Sequence, residues 1–165
     1  MIIKAYDRQN AVEYARRWAF DRNPAYYDFE HLGGDCTNFA SQCIYAGSGV
    51  MNFTPITGWF YISANNRTAS WTGVKYLYAF LVNNQGVGPF AKEVDARFVQ
   101  PGDIVQLSFD GVNFAHSPVV VATGPSPAPS NILVAAHTFD AYNRPLLTYP
   151  YKKIRYVHIE GIRTN

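Results

Sequence analysis

The first half of the chain carries apolar residues at the three- and four-residue spacing that is typical of amphipathic helices. Residues that commonly start or end helices delimit these runs. Asp7 and Thr72 are predicted N-caps, and Asn23-Pro24 and the small residues at 46–49 are predicted ends. Residues 48–70 show no sustained period, and we interpret them as a long ordered loop of the kind that often lines a site. Three helices are therefore predicted, over about Arg8–Phe20, Cys36–Tyr45 and Gly73–Val82.

The second half is rich in β-branched and aromatic residues, in short runs separated by proline- and glycine-rich turns. Four strands are predicted, over Asp103–Ser108, Ser117–Thr123, Asn131–Thr138 and Lys153–Ile162. Helices followed by strands predict an α+β fold in which an antiparallel sheet packs on the early helices. Neither a repeat nor a domain linker is visible, so we predict a single domain over residues 1–165.

The composition excludes several classes of protein. With 48% apolar and 16% charged residues the chain resembles a globular protein, and no apolar run approaches the roughly 18–20 residues of a membrane span. The N-terminus lacks the apolar region of a secretory signal, so we expect synthesis without one, or a leader or further domains outside this sequence. A net charge of +2, with no basic cluster longer than Lys152-Lys153, argues against nucleic acid as a partner. We expect a monomer.

The segment Gly33-Gly34-Asp35-Cys36 places a cysteine at the predicted start of a helix. A thiol there meets unpaired N–H groups and the positive end of the helix dipole, which predicts a lowered pKa and a reactive thiolate. Asp35 is a possible cap, although its negative charge opposes the thiolate. The alternative is a buried structural cysteine, which is our interpretation of Cys43. Seven positions on one helix separate the two cysteines by roughly 10 Å along the axis, whereas a disulfide needs Cα atoms within about 7 Å.

Two histidines are predicted at one end of a hairpin. His116 precedes the run at 117–123, and His137 ends the run at 131–138, so antiparallel pairing would bring them opposite each other within a residue or two. His137 would then orient the His116 ring, a role that Asp140 or Asn143 could also fill.

The remaining candidates are alternatives or structural residues. We interpret His31 and His158 as structural, and Trp59, Tyr61 and Trp71 as core aromatics rather than a sugar-binding platform. A zinc site is the competing interpretation of the reactive residues, although no short metal-binding spacing supports it. Its ligands would be Cys36, His116, His137 and Asp140.

Several longer motifs resemble the putative amidase domain of bacterial and phage cell-wall proteins. The resemblance begins in the first predicted helix, is strongest at residues 33–42 (Gly-Gly-Asp-Cys-Thr-Asn-Phe-Ala-Ser-Gln), and continues through 70–72, 101–105, 116–117 and 137–146. More distantly, Asp-Cys at a helix start, Pro-Gly-Asp before a strand and His at a strand mouth resemble the papain-like NlpC/P60 and CHAP group. The resemblance implies a papain-like fold and cleavage of amide bonds in peptidoglycan.

The same resemblance implies roles for particular residues: Cys36 as nucleophile, His116 as base and His137 as the third polar residue. Two departures stand out. Ser117-Pro118 interrupts the strand after the histidine and predicts an edge strand or a bulge. The position six residues before the cysteine, where relatives carry glutamine, is Glu30, which leaves the oxyanion hole with the Cys36 N–H and, as possible second donors, Tyr26 or Tyr27.

The sequence therefore predicts a cysteine-dependent amide-bond hydrolase that acts on peptidoglycan, as an N-acetylmuramoyl-L-alanine amidase or a stem-peptide endopeptidase. It would act at the bacterial cell wall, secreted or released as a phage lysin, without metal or other cofactor. The alternatives are a non-catalytic wall-binding module and a zinc-dependent hydrolase.

Overall fold

A computed structural model describes residues 1–165 as four helices and nine strands. The helices are α1 (Arg8–Trp18), α2 (Cys36–Ser48), α3 (Ala69–Thr72) and α4 (Val74–Asn83). The strands are β1 (Ile2–Lys4), β2 (Tyr61–Ser63), β3 (Asn66–Arg67), β4 (Gly88–Val94), β5 (Ile104–Ser108), β6 (Val119–Ala122), β7 (Leu133–Ala136), β8 (Ala141–Pro145) and β9 (Lys153–Thr164). The predicted α+β class is confirmed. None of the helices has the length and apolar character needed to span a bilayer.

The predicted helices are present, with shifted ends. The Asp7 carboxylate accepts a hydrogen bond from the Asn10 N–H and caps α1 as expected. Helix α2 runs past the predicted end because Gly49, at φ 70°, is the residue that supplies the left-handed turn. The predicted cap at Thr72 is wrong, since Thr72 ends the short α3 and α4 starts after Gly73.

The seven-stranded antiparallel sheet has the order β1-β9-β5-β6-β7-β8, and β4 also pairs with β9. Strand β6 therefore lies between two neighbours, so the edge alternative is wrong, whereas the β6–β7 register does shift between Val120 and Ala122. Pro118 is accommodated because it stands just before β6, where its carbonyl accepts from the Val105 N–H. The β5–β6 register continues past it, pairing Ile104 with Val119 and Leu107 with His116.

Two apolar layers cover the sheet. The larger one lies between the helices and one face, and it includes the fully buried Trp59 and Trp71 together with Phe39. The central loop therefore contributes aromatic residues to the core, as predicted. The smaller layer, on the other face, contains Leu107 and Tyr149. This division matters for the site, because alternate residues of each strand face different layers.

The turn of the β7–β8 hairpin contains two residues whose side chains disfavour the backbone conformation that the turn requires. Thr138 and Phe139 both have φ 61°, the left-handed conformation that hairpin turns usually assign to asparagine and glycine. Thr138 is held there by its hydroxyl, which accepts from the Asp35 N–H (3.2 Å) and donates to the Glu30 carboxylate (3.3 Å). Phe139 is 85% exposed and gains little from packing. The turn is therefore a strained element of the fold.

We expect Phe139→Gly to raise the free energy of unfolding by about 0.5–1 kcal/mol, because glycine adopts positive φ without steric cost. Denaturant unfolding measures this change. Phe98→Gly is the matched control, because Phe98 is also exposed but lies in a 3₁₀ turn with negative φ. Glycine at this position should lower the free energy of unfolding. Equal destabilisation of both variants would contradict the strain argument.

Candidate active site

Cys36 is the first residue of α2, directly after a sharp turn made by two glycines. Gly33 and Gly34 have φ 89° and 95°, so the predicted role of these glycines is confirmed. The cysteine is only 8% exposed. Its Sγ lies 3.7 Å from Oγ1 of Thr37 and 4.0 Å from the carbonyl oxygen of Ala115. The thiol therefore faces the segment that carries His116.

Asp35 does not cap α2, contrary to expectation, because its carboxylate is used elsewhere. Oδ1 accepts from the Phe29 N–H (2.8 Å) and the Asn38 amide (2.8 Å). Oδ2 accepts from Nδ1 of His137 at 2.5 Å. With no side chain on them, the N–H groups of the first turn of α2 remain open beside Cys36.

The predicted drop in the pKa of Cys36 is wrong for the resting protein. Burial raises the pKa of the Cys36 thiol; the Thr37 hydroxyl and the Ser117 N–H oppose the rise, and the Asp35 charge adds to it. Desolvation disfavours the thiolate more than the helix terminus favours it. The sulfur is therefore a neutral thiol at pH 7.

We expect iodoacetamide to alkylate Cys36 slowly at pH 7 and faster as the pH rises, because the thiolate is the reactive form. Mass spectrometry of peptides collected between pH 6 and 10 measures the rate. Cys43, which is fully buried in the middle of α2, is the internal control and should stay unlabelled in the folded protein. A rate that is already maximal at pH 6 would contradict the raised pKa.

His116 lies at the mouth of β6, as predicted. The ring is 5% exposed, packs near Tyr149 (centroids 5.4 Å) and Phe109 (6.4 Å), and forms no hydrogen bond with another protein group. Burial, with the charge of Arg144 added, lowers the pKa of His116 to about 4. The ring is therefore a neutral imidazole with two uncommitted nitrogens.

The expected contact between His137 and His116 is not formed. The β6–β7 register pairs Val119 with Ala135, which aligns position 117, rather than 116, with position 137. Because side chains alternate along a strand, His116 faces the Tyr149 layer, while His137 faces the helices and stacks on Phe39 at 4.1 Å. Both of its nitrogens have partners: Nδ1 lies 2.5 Å from Oδ2 of Asp35, and Nε2 lies 2.8 Å from the carbonyl oxygen of Trp18.

The two other candidates for the third residue are also directed elsewhere. Asp140 forms a two-point ion pair with Arg22 (2.9 and 3.1 Å). Asn143 is an exposed residue of β8 at φ 55°, without a side-chain hydrogen bond. The four residues considered as zinc ligands are not assembled into a ligand set, because His137 and Asp140 are held by these other partners.

Tyr26 and Tyr27 lie in the loop before α2, next to its first turn. The Tyr27 N–H donates to the hydroxyl of Tyr61 (2.7 Å), and its carbonyl accepts from Asn38 (2.9 Å). Tyr26 stacks on Trp71. Neither tyrosine hydroxyl forms a hydrogen bond with Cys36. His158, expected to be structural, donates through Nδ1 to the buried Asp103, and His31 is an exposed loop residue.

A cleft of about 470 Å³ opens beside His116. Burial raises the pKa of Tyr149, although the nearby charge of Arg144 opposes the rise. The Tyr149 hydroxyl is enclosed and has no hydrogen-bond partner. The cleft is lined by Phe109, Ala115, His116, Thr138, Phe139, Arg144, Tyr149 and Pro150.

Comparison with known proteins decides the family. Residues 5–160 match the family described as "Putative amidase domain". The chain belongs to this family. It is 34% identical over 142 residues to an uncharacterized protein, YhbB, of Bacillus subtilis (strain 168), in an alignment that covers 84% of the chain and 43% of that relative. The chain thus spans less than half the length of this relative. No solved structure matches it.

For this amidase-domain chain, the sequence predicted the positions of Cys36 and His116, but it predicted neither the Asp35–His137 pairing nor the presence of Arg144 and Tyr149 beside His116. The Asp35–His137 pair was hidden because the two residues are 102 positions apart. Arg144 and Tyr149 were missed because they belong to β8 and to the turn after it, where no periodic pattern marks an element. The signal available was chemical: an arginine and a tyrosine, both close in sequence to His137.

Proposed function

We propose that this chain is a cysteine-dependent amide-bond hydrolase with Cys36 as nucleophile and His116 as general base. The observation that carries the proposal is the contact of Sγ with the Ala115 carbonyl at 4.0 Å, because it sets the thiol against the residue next to an unpaired, neutral imidazole. Membership of the amidase family supports cleavage of an amide. A nucleophile beside a base is the arrangement that acyl transfer requires.

The reaction follows from these two groups. A ring nitrogen of His116 takes the thiol proton as Sγ attacks the carbonyl carbon, and a tetrahedral oxyanion forms. The imidazolium then protonates the leaving nitrogen, so that the C–N bond breaks and an amine departs from a thioester on Cys36. Water, deprotonated by His116, attacks the thioester and releases the carboxylic acid and the free thiol. No hydrogen bond joins His116 to Cys36 at rest, and we propose that substrate closes this contact.

Backbone N–H groups at the start of α2 are the proposed oxyanion donors. They are open because Asp35 binds His137 instead of capping the helix. Donors of this kind act without reorganisation, which is why a pre-formed helix start stabilises developing negative charge. The Asp35–His137 pair thus supports the site indirectly, because it keeps the Asp35 carboxylate from binding the N–H groups at the start of α2.

The catalytic residues in this proposal form a Cys–His dyad, in which no third residue hydrogen-bonds to the His116 ring. The His116 ring is oriented by packing between Phe109 and Tyr149. A papain-like arrangement is part of the proposal, supported by the helix-start cysteine and the strand-mouth histidine on an antiparallel sheet. Peptidoglycan as substrate is supported by the motif resemblance.

Digestion of purified peptidoglycan tests the proposed function, with mass spectrometry identifying the new amine ends. The matched variant is His116→Gln, which removes the base and should lower turnover at least 100-fold. Because His116 must be unprotonated, we expect kcat/KM to fall as the pH drops through about 4, and not through 6.5. Peptidoglycan that is bound but never cleaved would replace the hydrolase by a wall-binding module, and inactivation by a chelator would favour a zinc enzyme.

A further inference from the structure

The cleft beside His116 contains one permanent charge that no protein group neutralises. Arg144 forms no ion pair with a carboxylate, and no acidic residue lines the cleft. Other arginines, such as Arg155 and Arg163, also lack a carboxylate partner, so what distinguishes Arg144 is its position in the cleft beside His116. A guanidinium in a cleft of this kind can form a charge-assisted hydrogen bond with a ligand of opposite charge.

Arg144 is also held in one orientation. Nε donates to Oγ1 of Thr148 at 2.7 Å, and Nη2 donates to the Thr148 carbonyl at 3.2 Å. The guanidinium carbon lies 3.5 Å from the centre of the Tyr149 ring. Nη1 has no protein acceptor, so the group is anchored on one side and open on the other. Such pre-organisation lowers the entropic cost of binding an anion.

Two aromatic side chains form the apolar part of the same cleft. Phe139 is 85% exposed, and its backbone is held at φ 61° by the strained hairpin turn. Phe109 lines the same cleft, and its ring centroid lies 6.4 Å from that of His116. A strained backbone at an exposed aromatic residue that lines the cleft beside His116 suggests a role in binding.

We propose that Arg144 binds a carboxylate of the substrate and that Phe109 and Phe139 contact the apolar surface next to it. The substrate class is then an amide that carries a free carboxylate, placed so that the scissile carbonyl reaches Cys36. This inference rests on the proposed function and adds its specificity. The charge acts in a partly buried cleft, where a charge-assisted hydrogen bond is strong and selective.

Binding to the Cys36→Ala variant tests the proposal without turnover. The probes are soluble muramyl peptides in which each free carboxylate is converted to an amide in turn, and isothermal titration calorimetry measures Kd. We expect one of these amidations to weaken binding about tenfold, since removing the charged acceptor leaves the guanidinium unpaired. If no amidation changes Kd, or if no probe binds, the inference is wrong. Digestion of peptidoglycan by the wild-type chain would still uphold the proposed function.

A second set of variants assigns the effect to Arg144. Arg144→Gln in the Cys36→Ala background should remove the preference for the free carboxylate, and Arg144→Lys should restore part of it. Arg163→Gln is the matched control, because Arg163 also covers an aromatic ring (Phe90, 3.8 Å) and bonds a backbone carbonyl, but lies away from the cleft. If Arg144→Gln only lowers Tm and the preference for the free carboxylate remains, Arg144 merely stabilises the fold of residues 144–149 and the proposal fails.

Discussion

Replacement of Cys36 by alanine is expected to reduce hydrolysis of peptidoglycan below detection while the protein remains folded. The sulfur is the only proposed nucleophile, and its removal leaves no atom to form the acyl intermediate. The loss in packing is small, because the side chain is short and lies at the first position of α2. The assay is release of soluble muropeptides, and thermal unfolding by circular dichroism verifies the fold.

Cys43→Ala is the control for this variant, since it removes the other thiol of the same helix. Cys43 is fully buried in the main core, so we expect a loss of about 1–2 kcal/mol in the free energy of unfolding but normal turnover below Tm. Near-normal turnover by Cys36→Ala, or loss of turnover by folded Cys43→Ala, would refute the assignment of the nucleophile.

Replacement of His137 by alanine is expected to cost about 2–3 kcal/mol of stability, because it removes one partner of a buried carboxylate and opens a gap against Phe39. Asp35 keeps its hydrogen bonds to Phe29 and Asn38. His137 and Asp35 are each 1% exposed, and the imidazole also connects to the Trp18 carbonyl at the end of α1. The pair therefore fastens the α2 start, β7 and α1 together. Urea unfolding of the variant measures the loss.

The double variant Asp35→Ala with His137→Ala separates this pairing from simple loss of packing. If the Asp35–His137 hydrogen bond dominates, the double variant should lose clearly less stability than the sum of the two single variants. His31→Ala is the control, since that histidine is exposed and should leave stability unchanged. Additive losses, or a stable His137→Ala protein, would show that the pair contributes little.

Three of the four helices and four of the nine strands were predictable because their signals are local. The Asp7 cap, the glycine pair before Cys36 and the β-branched run before residue 123 each act over a few residues. Strand β4 was missed because its Gly88-Pro89 start indicates a turn. It forms because the twelve-residue β9 offers it a partner. Pairing between strands that lie 60 or more positions apart cannot be recognised from the local sequence pattern of either strand.

The candidate site divides in the same way. The sequence alone determined that Cys36 begins a helix and that His116 opens a strand, since both follow from short-range turn and cap chemistry. Only the tertiary structure decided that His137 faces the helices. A shift of one residue in the β6–β7 pairing moves every side chain of a strand to the opposite face of the sheet. The proline-rich loop at 124–130 is too long for the sequence alone to fix that pairing. Burial likewise set the pKa of the thiol and of the imidazole, because desolvation depends on what the rest of the chain packs around them.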